Sequence, residues 1–304
     1  MNSTPKITVL LTAYNAETYI EAALHSALNQ TFGDFEIVAV DDGSTDGTWE
    51  RLARAGGPQI RAFRQQHRGR AEAVNRAAAE ARGRFFAFLD ADDAWHPEKL
   101  ARQMGVWESH PEIDLVFTQS EWIGADGEGL GITTRAWEGP MSARELFCDN
   151  VTGNASSVMV RREAFEAAGG FDPEMPACVD LDCWIRVALL RAGNLWGIPE
   201  RLTRYRRHSK QITADWRRAR AGWVRLLAKL EAEAPELARH RRRAAANMRR
   251  FWFASAWQRG ERLAAARHLV CALCGAPWEQ LTDGRNWKLA FLLLCGKFSP
   301  PPPV

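Results

Sequence analysis

Residues 84–93 read Arg-Phe-Phe-Ala-Phe-Leu-Asp-Ala-Asp-Asp, an apolar run from Phe85 to Leu89 that ends in three carboxylates within four positions. Crowded carboxylates repel one another and each costs free energy to desolvate, so a buried strand does not end this way for stability alone. Two readings follow. A divalent cation between the carboxylates removes the conflict. Mg²⁺ is ordinarily held by one or two carboxylates while phosphate oxygens and water complete its shell, which makes the segment a metal–diphosphate site at a strand's carboxyl end. Alternatively the acids form a turn whose last member, Asp93, caps a helix announced by Trp95-His96-Pro97-Glu98.

Two other segments have the same form. Glu36–Val40 is rich in strand formers and runs into Asp41-Asp42-Gly43-Ser44-Thr45-Asp46-Gly47-Thr48. Ile7–Leu11 runs into Thr12-Ala13-Tyr14-Asn15 and then a helical pattern over Glu17–Asn29. In open parallel α/β sheets ligands sit in the crevice outside the carboxyl ends of the strands. Three such ends carrying hydroxyl, carboxylate and aromatic groups predict one shared nucleotide pocket. The remaining pattern predicts helices over Thr48–Ala55, Arg70–Ala81, His96–His110, Arg162–Ala168 and Leu181–Ala192. Strands are predicted at Gln59–Phe63, Arg84–Leu89, Asp114–Gln119, Ser156–Arg161 and Pro199–Tyr205. Alternating strands and helices are the mark of a doubly wound sheet. Residues 120–150 are Gly-rich and read as an irregular loop shaping an acceptor site.

Beyond Trp216 the pattern becomes all-helical, broken by Pro235, Gly260 and Gly275-Ala276-Pro277 into three or four helices. Charge divides the chain as well. Arg201 to His268 holds 19 Lys and Arg against 5 Asp and Glu, whereas the remainder holds 21 against 32. A basic third beside an acidic part points to an anionic partner: nucleic acid, anionic lipid or a phosphate-bearing acceptor. The amino-terminal residues lack the apolar core of a secretory signal, and no run of 18 apolar residues suggests a spanning helix. The six cysteines are expected as free thiols of a reducing compartment. Cys271 and Cys274, with His268 one turn earlier, lack the second ligand pair a structural zinc needs and are read as core-facing. The Pro-rich end, Ser299 to Val304, is expected to be disordered.

The segments VLLTAYNAETYIEAALHSALNQTFGDFEIVAVDDGSTDGT and ARGRFFAFLDADD together resemble the family-2 inverting glycosyltransferases of the GT-A fold, over roughly residues 5–210. The resemblance implies a Rossmann-like α/β domain over 1–212, mostly parallel in its sheet with flanking helices, followed by the basic, Trp-rich helical extension over 213–304. It implies Mn²⁺ or Mg²⁺, a nucleotide-diphospho-sugar donor of the UDP-sugar type, and a hydroxyl of a glycan or lipid-linked acceptor. Thr12, Ala13 and Tyr14 match positions flanking uracil and ribose, and Asp42 matches the carboxylate that accepts the base's N–H. Arg70 in HRGRAEAVN falls near the basic position approaching base and diphosphate. Asp90-Ala91-Asp92 matches the DXD signature, with Asp92 on the metal and Asp90 orienting ribose and metal-bound water. CVDLDCWIRV resembles the segment that carries the general base, so Asp180 takes that role and Asp182 is a structural carboxylate; many relatives have Glu where this chain has Val179. YRRHSKQIT resembles the closing motif, giving His208 to metal or diphosphate and Arg206 or Arg207 to phosphate oxygens. GNASSVMVRR resembles the acceptor-side strand, giving Asn154 and Ser156 to acceptor hydroxyls.

The chain lacks the QxxRW motif and spanning helices of processive synthases, which implies single addition. A nucleotidyltransferase would carry a GxGTR-like loop where LTAYNAETY stands. A nucleic-acid module is suggested by Trp216, Trp223, Trp252 and Trp257 among basic residues, yet their spacing fits buried helix faces, and no nucleic acid is expected. NWKLAFLLLCGKF, residues 286–298, is too short to span but suits a membrane interface. The expectation is a cytoplasmic enzyme, peripheral on the inner face of the plasma membrane, or else a helical tail that packs on the core or on a second copy.

Overall fold

A computed structural model of the chain describes residues 4–208, 211 and 215–275. They form two compact units. The first holds the described residues up to Leu146, with Asn150–Glu174 and Val179–Arg206. The second holds Phe147–Asp149, Met175–Cys178 and the described residues from Arg207 onward.

The first unit opens with β1 (Ile7–Ala13), α1 (Ile20–Leu28), β2 (Phe35–Asp41), α2 (Thr48–Arg54), β3 (Ile60–Arg64), α3 (Arg70–Glu80) and β4 (Phe85–Asp90). Every residue of β1 and β2 is buried, as expected of strands covered on both faces. Helix α1 turns Ile20, Ala23, Leu24 and Ala27 inward, the spacing of one helical face. Then follow β5 (Ala94–Trp95), α4 (Lys99–Ser109), β6 (Leu115–Ile123), β7 (Gly129–Thr133), β8 (Gly139–Met141), α5 (Ala143–Asp149), a 3₁₀ turn at Ala155–Ser157, β9 (Val158–Arg161), α6 (Arg162–Ala167), α7 (Val179–Leu190) and β10 (Leu195–Arg206). The strands make one ten-stranded sheet in the order β3-β2-β1-β4-β9-β6-β10-β5, with β7 on β6 and β8 on β10. Pairing is parallel from β3 to β4 and between β6 and β10, and antiparallel around β9. The mixed α/β class read from the sequence is the class found.

Residues 120–150 are a correction. They hold the end of β6, two further strands and α5, whose start is a complete capping box between Ser142 and Glu145. Pro97 does not open α4; the helix begins at Lys99 with Glu98 as its cap.

In the second unit α8 (Trp216–Glu233), α9 (Pro235–Ala238), α10 (Arg241–Gln258) and α11 (Arg262–Gly275) follow one another. Phe147 stacks on Trp223 at 5.5 Å. A Cβ at Gly222 would fall 2.4 Å from the Ala177 carbonyl, so only glycine permits that approach. Trp223, Trp252 and Trp257 are buried, which removes them as exposed stacking surfaces for nucleic acid. His268 packs edge-on against the Trp216 and Trp252 rings. Cys148, Cys178, Cys183 and Cys271 are not joined in disulfides among the described residues. No described helix is long and apolar enough to cross a membrane. The Cys274 side chain, the 286–298 segment and the Pro-rich end lie outside the described residues.

Candidate active site

The sheet brings the three predicted strand ends side by side. Thr12 of β1 is in register with Val40 of β2 and Asp90 of β4, and Ala13 with Asp41. The loops that leave β1 and β2 are locked together by short polar side chains. The Ser44 hydroxyl accepts from the Asn15 N–H, the Thr48 hydroxyl from the Ala16 N–H, and Asp46 from the Glu17 N–H. In return Glu17 accepts from the Gly47 N–H, and it pairs with Arg51 at 3.1 Å. The Ser44-to-Thr48 run thus supplies acceptors to the N–H groups of Asn15 to Glu17, in the loop between β1 and α1. Asn15 takes the turn at φ 49, a left-handed conformation Asn tolerates.

Asp42 is 2% exposed. Its carboxylate accepts from the Gln65 amide at 2.8 Å, the Arg68 N–H at 3.0 Å and the Gly69 N–H at 2.8 Å, while the His67 Nδ1 lies 3.1 Å from the Asp42 carbonyl oxygen, its hydrogen-bond partner, and 2.9 Å from Oδ2. Three donors and the adjacent His67 ring crowd the carboxylate, so a base N–H reaches Asp42 by displacing the Gln65 or His67 side chain. Gly43, at φ +76, allows the approach, since a Cβ would sit 2.7 Å from the His67 nitrogen. His67 in turn stacks on Tyr14 at 4.1 Å, and Tyr14 is 48% exposed. This pair forms an aromatic platform open to solvent at the β1 end.

Arg70 opens α3 and grips Asp90 with two bonds, Nε to Oδ1 and Nη2 to Oδ2, each 3.0 Å. Its guanidinium lies 5.5 Å over the Phe171 ring. Asn75, one turn farther along α3, holds Phe171 by both its backbone groups, at 2.7 and 2.9 Å. Burial pulls the Arg70 pKa down, but Asp90, Asp180 and Asp92 more than reverse this, so Arg70 stays firmly charged. Burial pushes Asp90 up, Arg70 draws it back, and Asp92 and Asp180 add to the rise. One cation and three carboxylates, Asp90, Asp92 and Asp180, therefore share one electrostatic neighbourhood. Asp180 is half-buried in the first turn of α7, where Oδ1 accepts from the Leu181 N–H at 2.9 Å. Asp182 is buried and paired with Arg186 at 2.6 Å.

Asp93 is not a helix cap. It is buried, and its Oδ2 accepts from the Ser156 hydroxyl at 2.6 Å while Oδ1 accepts from the Arg206 N–H at 2.9 Å. Burial first, then Asp92 and Asp90, raise its pKa well above the usual carboxylate range. Ser156 also accepts from the Asp90 N–H at 3.1 Å. The expected acceptor contacts of Ser156 and Asn154 are corrected accordingly. Ser156 is fully buried behind the acidic turn, and Asn154 is 4% exposed, with its amide bonded to Ser120 and the Ser157 N–H. Arg206 is likewise buried, its guanidinium donating to the carbonyls of Asp92, Gly124 and Ala125 rather than facing outward to phosphate. His208 falls in the second unit, where its N–H donates to Gln211. The segment HRGRAEAVN carried more than Arg70: His67, Asn75 and the preceding Gln65 all shape the site.

Among the described residues no three His, Cys, Asp or Glu side chains gather to enclose a metal ion. A hard cation that keeps several waters needs no such cage. Arg70 occupies both oxygens of Asp90, which leaves half-buried Asp92 as the hard-oxygen donor of the turn. The donor set fits Mn²⁺ or Mg²⁺ bound chiefly through a substrate's phosphates.

The family model "Glycosyl transferase family 2" matches residues 8–169. The chain is 31% identical over 228 residues to the putative teichuronic acid biosynthesis glycosyltransferase TuaG of Bacillus subtilis, covering 73% of this chain and 87% of TuaG. Against other curated relatives, mostly glycosyltransferases without assigned function and polysaccharide synthases, it spans 19% to 54% of their length. In fold it is similar to Staphylococcus aureus TarS 1–349 in complex with UDP-GlcNAc, with TM-score 0.65 and 17% identity over 90% of this chain and 82% of that one. It is also similar to the mannosyltransferase PcManGT of Pyrobaculum calidifontis in complex with GDP-Man and Mn²⁺, with TM-score 0.61 and 21% identity over 96% of this chain and 81% of that one.

Proposed function

The chain belongs to glycosyl transferase family 2, and on that premise we propose that it moves one sugar from a nucleotide-diphospho-sugar to a hydroxyl of a glycan or lipid-linked acceptor, with inversion. The observation that carries this is the convergence of Arg70, Asp90, Asp92 and Asp180 beside the Tyr14–His67 platform, at one end of the central strands. The base stacks on Tyr14 and is read by the Asp42 region. Arg70, fixed by Asp90, holds a cation toward the diphosphate. Asp92 would hold Mn²⁺ or Mg²⁺, which when bound neutralises charge developing on the departing nucleoside diphosphate. Asp180 accepts the proton of the acceptor hydroxyl as that oxygen attacks the anomeric carbon from the face opposite the diphosphate. The glycan or lipid-linked acceptor is supported by the match to TuaG, a putative teichuronic acid glycosyltransferase. The basic second unit supports docking on an anionic cytoplasmic leaflet.

The test is transfer or hydrolysis with UDP- and GDP-sugars, with Mn²⁺ and with chelator, and the anomer of the product read by NMR. Turnover of one donor with inverted product is the expected result. No turnover with any donor, or retained configuration, overturns the reading.

A further inference from the structure

A basic cavity lies at the other end of the same strands. A cavity of about 100 Å³ is lined by Arg82, Gly83, Arg84, Arg161, Arg162 and Glu163. Arg82 and Arg84 immediately precede β4, and Arg161 ends β9 in register with Phe85. Asp90 is five residues farther along β4, roughly 16 Å at the rise of a strand, so this cavity is not part of the carboxylate site.

Two of its arginines are fixed. Arg161 donates from Nε to the Ile113 carbonyl at 2.8 Å and from Nη2 to Pro111, and its guanidinium lies 5.3 Å over the Phe85 ring. Arg162 donates to the Ala81 carbonyl at 2.8 Å and packs over Phe86. The side chains of the other two are exposed, and among the described residues no acidic side chain pairs with the guanidinium group of Arg82 or Arg84. Nearby acids are few, and buried Glu36 is engaged by the Arg82 N–H and by Arg61. Glu163 stands exposed at the rim, Glu166 pairs with Arg162, and Asp114 is bonded bidentately by Arg191. Burial lowers the Arg161 pKa and Asp114 draws it back, while Arg84 and Arg191 lower it and Glu163 opposes them. A Cβ at Gly83 would fall 2.5 Å from the Thr8 nitrogen, so this turn is pressed tightly onto β1 with an arginine on either side. Like charges brought together repel, and whereas Arg161 and Arg162 serve the chain's own packing, among the described residues no hydrogen bond or ion pair engages the guanidinium groups of Arg82 and Arg84.

We propose that this cavity binds a phosphate monoester group. Guanidinium forks match the oxygens of phosphate in a way no other side chain does. The cavity falls well short of the ~300–1,000 Å³ of a drug-sized ligand pocket, so it takes one oxyanion and not a nucleotide. A second negative charge favours a monoester dianion over a diester.

The experiment is calorimetric titration of inorganic phosphate into the full chain. Parent binding should weaken about tenfold or more in Arg82→Gln/Arg84→Gln, the loss expected when charged hydrogen bonds go. It should strengthen in Glu163→Gln and stay unchanged in Arg70→Gln. A parallel arm uses neutral vesicles with or without phosphatidic acid. Retention of the parent over the double variant by phosphatidic acid vesicles assigns the phosphate to a lipid headgroup; binding of free phosphate alone assigns it to a soluble ester. Binding in neither arm, binding that the double variant keeps, or loss in Arg70→Gln instead overturns the proposal. So does a double variant less stable than the parent in phosphate-free buffer, because the arginines would then be structural.

Discussion

Ser156→Ala isolates the contact that ties the acidic turn to the rest of the sheet. The Ser156 hydroxyl donates to Asp93 at 2.6 Å, a bond buried from water, and accepts from the Asp90 N–H at 3.1 Å in a partly buried one. Alanine removes the two bonds and leaves their partners in place. A bond to a charged carboxylate contributes about 1.5–3 kcal/mol. Burial beside Asp92 and Asp90 draws Asp93 toward its protonated form, so the lower end of that range applies. The Asp90 N–H, left without an acceptor, adds about 1–3 kcal/mol. Allowing for partial relaxation, the variant should lose about 3 kcal/mol, a large fraction of the ~5–15 kcal/mol typical of a domain. Urea unfolding at pH 7, followed by tryptophan fluorescence, measures it. A cycle with Asp93→Asn should return a coupling of about 1–2 kcal/mol, as expected for residues sharing one bond. A loss under about 1 kcal/mol, or strict additivity with Asp93→Asn, would refute the claim that Ser156 organises the turn.

Asp92→Asn should fold normally yet lose Mn²⁺-dependent transfer, because a neutral amide is a poor ligand for a hard cation; equal activity in chelator would remove Asp92 from the metal. Asp180→Asn should keep donor affinity while transfer falls about 10²–10⁴-fold, and loss of donor binding along with transfer would make Asp180 a structural or donor residue. Lys99 is fully buried, with its amine on Gln103 at 2.7 Å and 4.3 Å over the Trp95 ring, and burial holds its pKa well below the usual lysine range. The unfolded chain then binds a proton that the folded chain refuses. This penalty is absent above about pH 10.4, grows as pH falls, and levels off below the folded pKa. Lys99→Met should therefore raise the Tm at pH 7 and lose that advantage near pH 10.5; a variant less stable at every pH would contradict the account.

The strand ends were legible because their chemistry is local. An apolar run that stops in Asp, Gly and hydroxyl residues announces both a buried strand and the polar turn after it, and Ile7–Ala13, Phe35–Asp41 and Phe85–Asp90 follow that rule to within two residues. Partners distant in sequence were not legible. Asp93 before a helix looks like a cap, and only tertiary structure supplies Ser156, 63 residues on, and Arg206, 113 residues on. Ser156 and Asn154 looked like hydroxyl and amide groups free for an acceptor for the same reason. Strand β7 is mostly exposed and rich in glycine, so it gives no alternating signal; it exists because β6 offers an edge. Helix α5 was readable and overlooked, since Ser142-Ala143-Arg144-Glu145 is a capping-box sequence.

The double anchoring of Asp93 also sets an order of assembly. A turn encoded at residues 90–93 takes its final form only after the chain has been made through Arg206 and β10 has entered the sheet. Contacts of such sequence separation form late, because the intervening loop must be closed first. A ribosome-bound or truncated chain ending before β10 would carry the whole acidic signature and still lack the frame that shapes it.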